Sequence, residues 1–323
     1  MLSRVANSIY WLNRYIERAE NVARFVDVNL NLILDLPNQT MAQWEPLVVV
    51  TGDLAFFQER YGLPTQEQVI QFLTFDTDYP NSIVSCLYAA RENARSIREI
   101  ISSEMWQEVN SFYFLVQQAA ESGQEVDLNQ FFQDVKLASH RFAGVMDATM
   151  SHNEAWHFGQ MGRLLERADK TTRIVDVKYY VLLPSVQDVG TTLDEIQWMA
   201  LLKSASAYEM YRKRGRHLIT PRQVAEFLLL NREFPRSVLF CLQQMQTSLY
   251  RITGTEFNDW QTGVERRLGR LCAELEYITI DEIIQGGLHE FLDHLQVEFN
   301  QLDQAIFRTF FAVNLDPVAH GIN

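Results

Sequence analysis

Arg14–Val28 reads RYIERAENVARFVDV, and Arg163–Val177 reads RLLERADKTTRIVDV. Eight of these 15 paired positions are identical at one offset, 163 − 14 = 149 residues: Arg14/Arg163, Glu17/Glu166, Arg18/Arg167, Ala19/Ala168, Arg24/Arg173, Val26/Val175, Asp27/Asp176 and Val28/Val177. Chance does not produce such a match without a gap. The chain writes one segment twice.

The echo continues downstream. Gln43-Trp44 returns at Gln197-Trp198, at an offset of 154. Thr65–Leu87 aligns with Thr220–Leu242 at an offset of 155, with nine of 23 positions identical, among them Pro80/Pro235, Ser82/Ser237 and Cys86/Cys241. The stretch LNQFFQDV from Leu128 faces LHEFLDHL from Leu288 at an offset of 160. An offset that only grows, and by small steps, is what loop insertions leave behind. The pattern predicts two pseudo-symmetric halves, 1–152 and 153–323, packed together as an internally duplicated bundle. They join near SHNEAW, where Ser151 and Glu154 have the spacing of a Ser-x-x-Glu capping box.

Each half reads as helix. Ile9, Leu12, Ile16, Ala19, Ala23, Val26, Leu30 and Ile33 recur at steps of three and four, the stripe of a core-facing helix that ends by Pro37. Pro80 and Pro235, each followed two residues later by serine, mark further helix starts. Glu45–Gly52 (EPLVVVTG) is the one stretch that could be a strand, but its counterpart MALLKSAS reads as helix, so helix is favoured. The expected class is all-α, with four to six helices per half.

Composition agrees. The 323 residues are 47% hydrophobic and 21% charged, with only 14 Gly and 8 Pro, which suits long helices with short joints. A net charge of −13 excludes a general nucleic-acid binder, which needs a basic face. Cys86, Cys241 and Cys272 have no metal-ligand spacing. The N-terminus lacks the apolar core of a secretory signal, and no apolar run is long enough to span a bilayer. The expectation is a soluble, cytoplasmic protein with no membrane contact.

The chemistry is concentrated in arginine and glutamate. On a helix, Arg14, Glu17 and Arg18 share one face with Asn21, opposite the apolar stripe yet beside Trp11, Phe25, Val28 and Leu32. A polar island in a helix apolar nearly all round has two readings. It is either a buried Arg–Glu network that locks the first helix of each half against its neighbours, with Glu17 bridging Arg14 and Arg18, or a pair of arginine forks awaiting a carboxylate or phosphate. Arg163, Glu166 and Arg167 repeat it. A second cluster, Arg91, Glu92, Arg95 and Arg98, occurs in the first half only, because Gln246, Tyr250 and Thr253 stand at the matching arginine positions. If the two helices meet, five arginines converge on one cleft. Tyr211–His217 (YRKRGRH) is the most basic stretch and a candidate dock for an acidic partner. His289 and His294 lack the zinc-protease spacing, so no metal is expected. Cys86 and Cys241 sit in apolar helix and read as core. No nucleophile–base pair and no phosphate loop is visible, so no cofactor is expected.

MLSRVANSIYWLNRYIERAENVAR, ARENARSIRE, GRLLERADKTTRIVDVK and FPRSVLFCL together resemble the bacterial alpha-E family, all-helical proteins with a Glu-Arg motif. That motif falls on Glu17-Arg18 and its echo on Glu166-Arg167, and the likeness runs from Ser3 to about Phe311. Asn7, Leu12 and Asn13 depart from it, where the family pattern has Glu, Met and Gly. The resemblance implies association with a circularly permuted ATP-grasp ligase and a transglutaminase-like cysteine peptidase, in a system that makes or processes a peptide bond. On that basis the chain is expected to be a non-catalytic or co-catalytic partner gripping an acidic peptide or the ligase. The alternatives are an enzyme with Glu17 or Glu166 as acid–base, and a structural scaffold.

Overall fold

Helix α1 runs unbroken from Ser3 to Asp35, 33 residues without a glycine or proline, which at 1.5 Å per residue spans roughly 50 Å. The structure is a computed structural model and describes residues 1–35, 44–122, 126–180, 191–215, 218–256 and 259–312. Pro37, Gln43, Arg216 and His217, and the side chains of Leu32 and Ile33, lie outside the described residues. Every other member of the α1 stripe is buried except Leu30, which is partly so.

After α1 come α2 (Glu45–Val49), α3 (Leu54–Tyr61), α4 (Gln66–Ile70, continued by a π turn Gln71–Phe75), α5 (Ile83–Ser96), α6 (Ser103–Ser122) and α7 (Leu128–Thr149). Then follow α8 (Glu154–Tyr180), α9 (Thr192–Ser204), α10 (Tyr208–Lys213), α11 (Pro221–Leu230), α12 (Val238–Thr253), α13 (Gly263–Tyr277), α14 (Ile280–Gly286) and α15 (Leu288–Ile306, continued by a π turn Phe307–Phe311). Among the described residues there is no strand. The stretch from Glu45 is helix, as the pattern favours, and Trp44, directly before α2, and Trp198, within α9, are both buried.

The long helices α1 and α8 pack along each other at the centre. On one side α5 and α7 lie on α1, with α6 joining them; on the other α12 and α15 lie on α8, with α13 joining them. No helix among the described residues is long and apolar enough to cross a membrane.

Local chemistry fixes the boundaries. Thr65 and Thr220 cap α4 and α11 by accepting from the backbone N–H of Gln68 and Gln223. Ser82 and Ser237 do the same for α5 and α12. The expected capping box at Ser151 does not form. Asn153, directly before α8, accepts from Ala155 N–H at 3.0 Å, and Glu154 pairs with the N-terminal ammonium of Met1 at 2.9 Å. A cap must stand immediately before the first helical residue, and Ser151 is too far upstream.

Glycine sets how close α1 and α8 come. A Cβ on Gly162 would lie 2.2 Å from the Tyr10 carbonyl oxygen, and one on Gly159 would meet Met146 and Asn13. The two backbones approach where α8 has no side chain to hold them apart, which brings the charged faces of both helices within reach of each other.

Candidate functional site

Between α1 and α8 the charges cross over. Glu166 on α8 is 0% exposed and receives a bidentate fork from Arg18, Nε to Oε1 at 2.7 Å and Nη2 to Oε2 at 3.0 Å, together with Arg14 Nε at 2.9 Å. Glu17 on α1 receives the matching fork from Arg167, at 2.9 and 2.7 Å, and Arg236 Nη1 at 3.1 Å. Glu17 therefore does not bridge Arg14 and Arg18 on its own helix. A neighbour one turn away offers a carboxylate a glancing contact, whereas a guanidinium from the facing helix meets both oxygens in plane. Glu20 extends the network: it accepts from Arg24, from Ser139 Oγ at 2.6 Å and from Arg236 Nη2.

Burial would push these carboxyls up, and the arginines override it. Glu17 is held below the usual carboxylate range by Arg167 and Arg236, and Glu166 well below it by Arg18, Lys170 and Arg14. Both stay ionised and enclosed. An acid–base catalyst works in reach of its substrate, whereas here each carboxylate is occupied by arginines from the facing helix.

At the rim of the Glu166 side lies a pocket of about 170 Å³ whose lining includes Arg14, Arg18, Asn81, Lys170 and Arg173 together with the carboxylate of Asp169. Its cations are engaged from below: Lys170 Nζ lies 3.0 Å from Asp169 and 3.5 Å from Glu166, and Arg173 Nε donates to Asp169 at 2.9 Å. Arg14 also donates to Asp303 on α15, and Arg18 to Asn81. Four cations here (Arg14, Arg18, Lys170, Arg173) face three carboxylates (Glu166, Asp169, Asp303), an excess of 4 − 3 = 1 positive charge.

The expected convergence of five arginines is absent. Arg91 donates to Asn110 at 2.8 Å and lies 4.8 Å over Tyr113, Arg98 lies 4.6 Å over Trp106, and Arg95 pairs with Glu92 at the surface. All of these contacts are to α6 or within α5. The face of α5 turned inward is its apolar one, Ile83, Cys86, Leu87, Ala90 and Ala94, so the arginine face must turn away. In YRKRGRH, Tyr211 is buried, Arg212 packs on Tyr208 and Arg214 pairs with Glu233.

Sequence reasoning missed Glu20, Arg24, Lys170, Arg173 and Arg236. The signal existed for two: Arg24 and Arg173 are identical in the repeat yet were assigned no role. Arg236 replaces Asn81 after the shared proline, and only the fold reveals that both point into the network. Asp176, His289 and Asp293 are the one group among the described residues whose ligand atoms come within 4.8 Å of one another as a metal site requires. His289 Nδ1 lies 2.7 Å from Asp176 Oδ1, an ion pair joining α8 to α15 that accounts for the closeness.

Cys86 and Cys241 are core, as expected. Each is 0% exposed, their Sγ atoms face the carbonyls of Pro80 and Pro235, and burial pushes both thiols up to about 12. Native protein is therefore expected to leave its three thiols unlabelled by an aromatic disulfide reagent at pH 8, and to yield all three in denaturant. Fast labelling of the folded protein at either position would contradict the burial.

Comparison with known proteins adds a family. The Alpha-E model, described as "a predicted alpha-helical domain with a conserved ER motif", matches residues 1–311. An uncharacterized protein of Mycobacterium bovis and two of Mycobacterium tuberculosis are each 22% identical to this chain over 275 residues. The match takes in 78% of this chain but spans only 30% of each relative's length. No solved structure matches.

Proposed function

Because the chain belongs to the Alpha-E family, we propose that it is a non-catalytic helical partner in a peptide-ligating or peptide-processing system, holding an acidic peptide by its carboxylates. The ATP-grasp ligase and transglutaminase-like peptidase that the family resemblance implies are the partners of this reading. The observation that carries it is the rim pocket of Arg14, Arg18, Lys170 and Arg173, positively charged inside a protein of net charge −13. A concave cationic site in an acidic body focuses the field on an incoming anion. Lys170 Nζ has three donors, two of them turned to Asp169 and Glu166, which leaves one for a ligand, while the buried Glu166 beneath keeps Arg14 and Arg18 in place. The relatives support the reading in another way: with 70% of their length beyond the match, 100 − 30, the helical domain there is one part of a larger chain. We also read residues 1–152 and 153–323 as two copies of one helical unit. The repeated sequence supports it, as do the crossed forks Arg18–Glu166 and Arg167–Glu17.

Calorimetric titration with a hexaglutamate peptide tests the site. Binding is expected to weaken about tenfold in Lys170→Met and to fall further in Lys170→Glu, while Arg95→Ala on the outer face of α5 leaves it unchanged. One charge-assisted hydrogen bond at a partly enclosed cation is worth about that much. Equal affinity in all four proteins would end the proposal.

A further inference from the structure

A second pocket lies between α1, α7 and α9, with a volume of about 610 Å³, within the range of small-molecule sites. We propose that it receives a small organic carboxylate with an apolar body, independently of the peptide site.

The pocket is two-ended. One wall is apolar: Val28 from α1, Ile196 and Met199 from α9. The other is cationic, with Arg24, Lys136 and Lys203. The single carboxylate in the lining is Asp27, and it is already engaged by Lys136 at 2.8 Å and Gln133 at 3.4 Å. Arg24 is the point where the buried network opens into this space. Behind it, three arginines (Arg24, Arg167, Arg236) are paired with two glutamates (Glu17, Glu20), an excess of 3 − 2 = 1 positive charge. Arg163 stands beside them with a buried Nε that meets no acceptor. Compensating anions are scarce on this side of the helix pair, and a buried charge left uncompensated costs several kcal/mol.

Ser206 supplies the independent observation. Its φ of 48° is the only positive one at a non-glycine residue among the described residues. It closes α9, where helix ends of this kind take glycine because a side chain in the left-handed region is strained. Serine accepts that strain here, and its Oγ accepts a hydrogen bond from Arg24 Nη1. Its own hydroxyl proton is then left to donate outward. Arg24, Ser206 and the exposed Lys203 thus offer donors at one end of a cavity whose other wall is hydrocarbon, the pairing that a carboxylate with an aliphatic tail matches.

Octanoate, with octan-1-ol and octylammonium as controls, tests this by isothermal titration of the full chain. One site for octanoate is expected, with octanol at least tenfold weaker and octylammonium not binding. Lys203→Glu, at an exposed position, is expected to weaken octanoate about tenfold. Ser206→Gly relieves the backbone while removing the hydroxyl, so its melting temperature should hold or rise as octanoate affinity drops. Lys170→Met, which tests the peptide site, should leave octanoate unaffected. Octanol binding as well as octanoate, no octanoate binding at millimolar concentration, or unchanged affinity in both Lys203→Glu and Ser206→Gly would overturn the proposal.

Discussion

Glu166→Gln is expected to destabilise the fold by about 3–5 kcal/mol, the usual loss when one member of a buried ion pair is removed. The carboxylate is 0% exposed and takes Arg14 and Arg18 directly, with Lys170 nearby. A neutral amide keeps the shape but leaves Arg18 without its carboxylate and Arg14 and Lys170 with only Asp303 and Asp169 to balance them. Glu17→Gln should cost a similar amount through Arg167 and Arg236. Urea denaturation of both variants is the measurement, and a loss under about 1 kcal/mol would mean the forks are solvated and weak. The same network sets the acid limit. In the fold, Glu17, Glu20 and Glu166 are held below the ordinary glutamate range by the guanidinium groups around them. A lowered folded pKa gives stability that is complete above the unfolded value and lost as pH falls through the folded one. Stability should therefore be flat from neutrality down to about pH 5 and decline below it, and Glu166→Gln should flatten part of that decline.

Gly162→Ala is expected to cost about 3 kcal/mol, at the upper end for overpacking. The new methyl would sit 2.2 Å from the Tyr10 carbonyl oxygen and 3.0 Å from its carbonyl carbon. These are backbone atoms of a long buried helix, so no side chain can swing aside, and α1 must move away from α8. Such a shift also lengthens the forks, whose planar geometry tolerates little displacement. Gly144→Ala is the control. Its Cβ would meet nothing within 4 Å, and there alanine's better helix propensity should stabilise by about 0.5–1 kcal/mol. If both variants melt alike, the contact at Tyr10 does not limit the helix spacing.

The helices could be read from the chain because their signals are local. The α1 stripe depends only on a 3.6-residue period, and the helix starts at Ser82 and Ser237 only on a hydroxyl three residues before a backbone N–H; the same signal at Thr65 and Thr220 went unread. Cys86 and Cys241 follow from the apolar helix around them. The site was legible in its members but not in its pairing. That Arg14, Glu17 and Arg18 share a face is a property of one helix. That Glu17 belongs to Arg167 depends on how α8 is rotated against α1, and Gly162 decides this without carrying any charge. Arg91, Arg95 and Arg98 misled for the complementary reason. Three arginines on one face look alike in sequence whether the face turns in or out, and the apolar residues between them settled it.

The crossed forks bear on what a cut through the chain would leave. A fragment ending before α8 would hold Arg14, Arg18 and Glu17 with every oppositely charged partner on the missing piece, and the remainder would hold Arg167 without Glu17 and Glu166 with Lys170 but neither arginine. Neither fragment contains the facing half of its forks, so each is a template for the other, and the two should assemble only as a stoichiometric complementing pair. In genetic terms the two motifs are tied: a change in Glu17 or Arg18 on α1 calls for an answering change in Arg167 or Glu166 on α8.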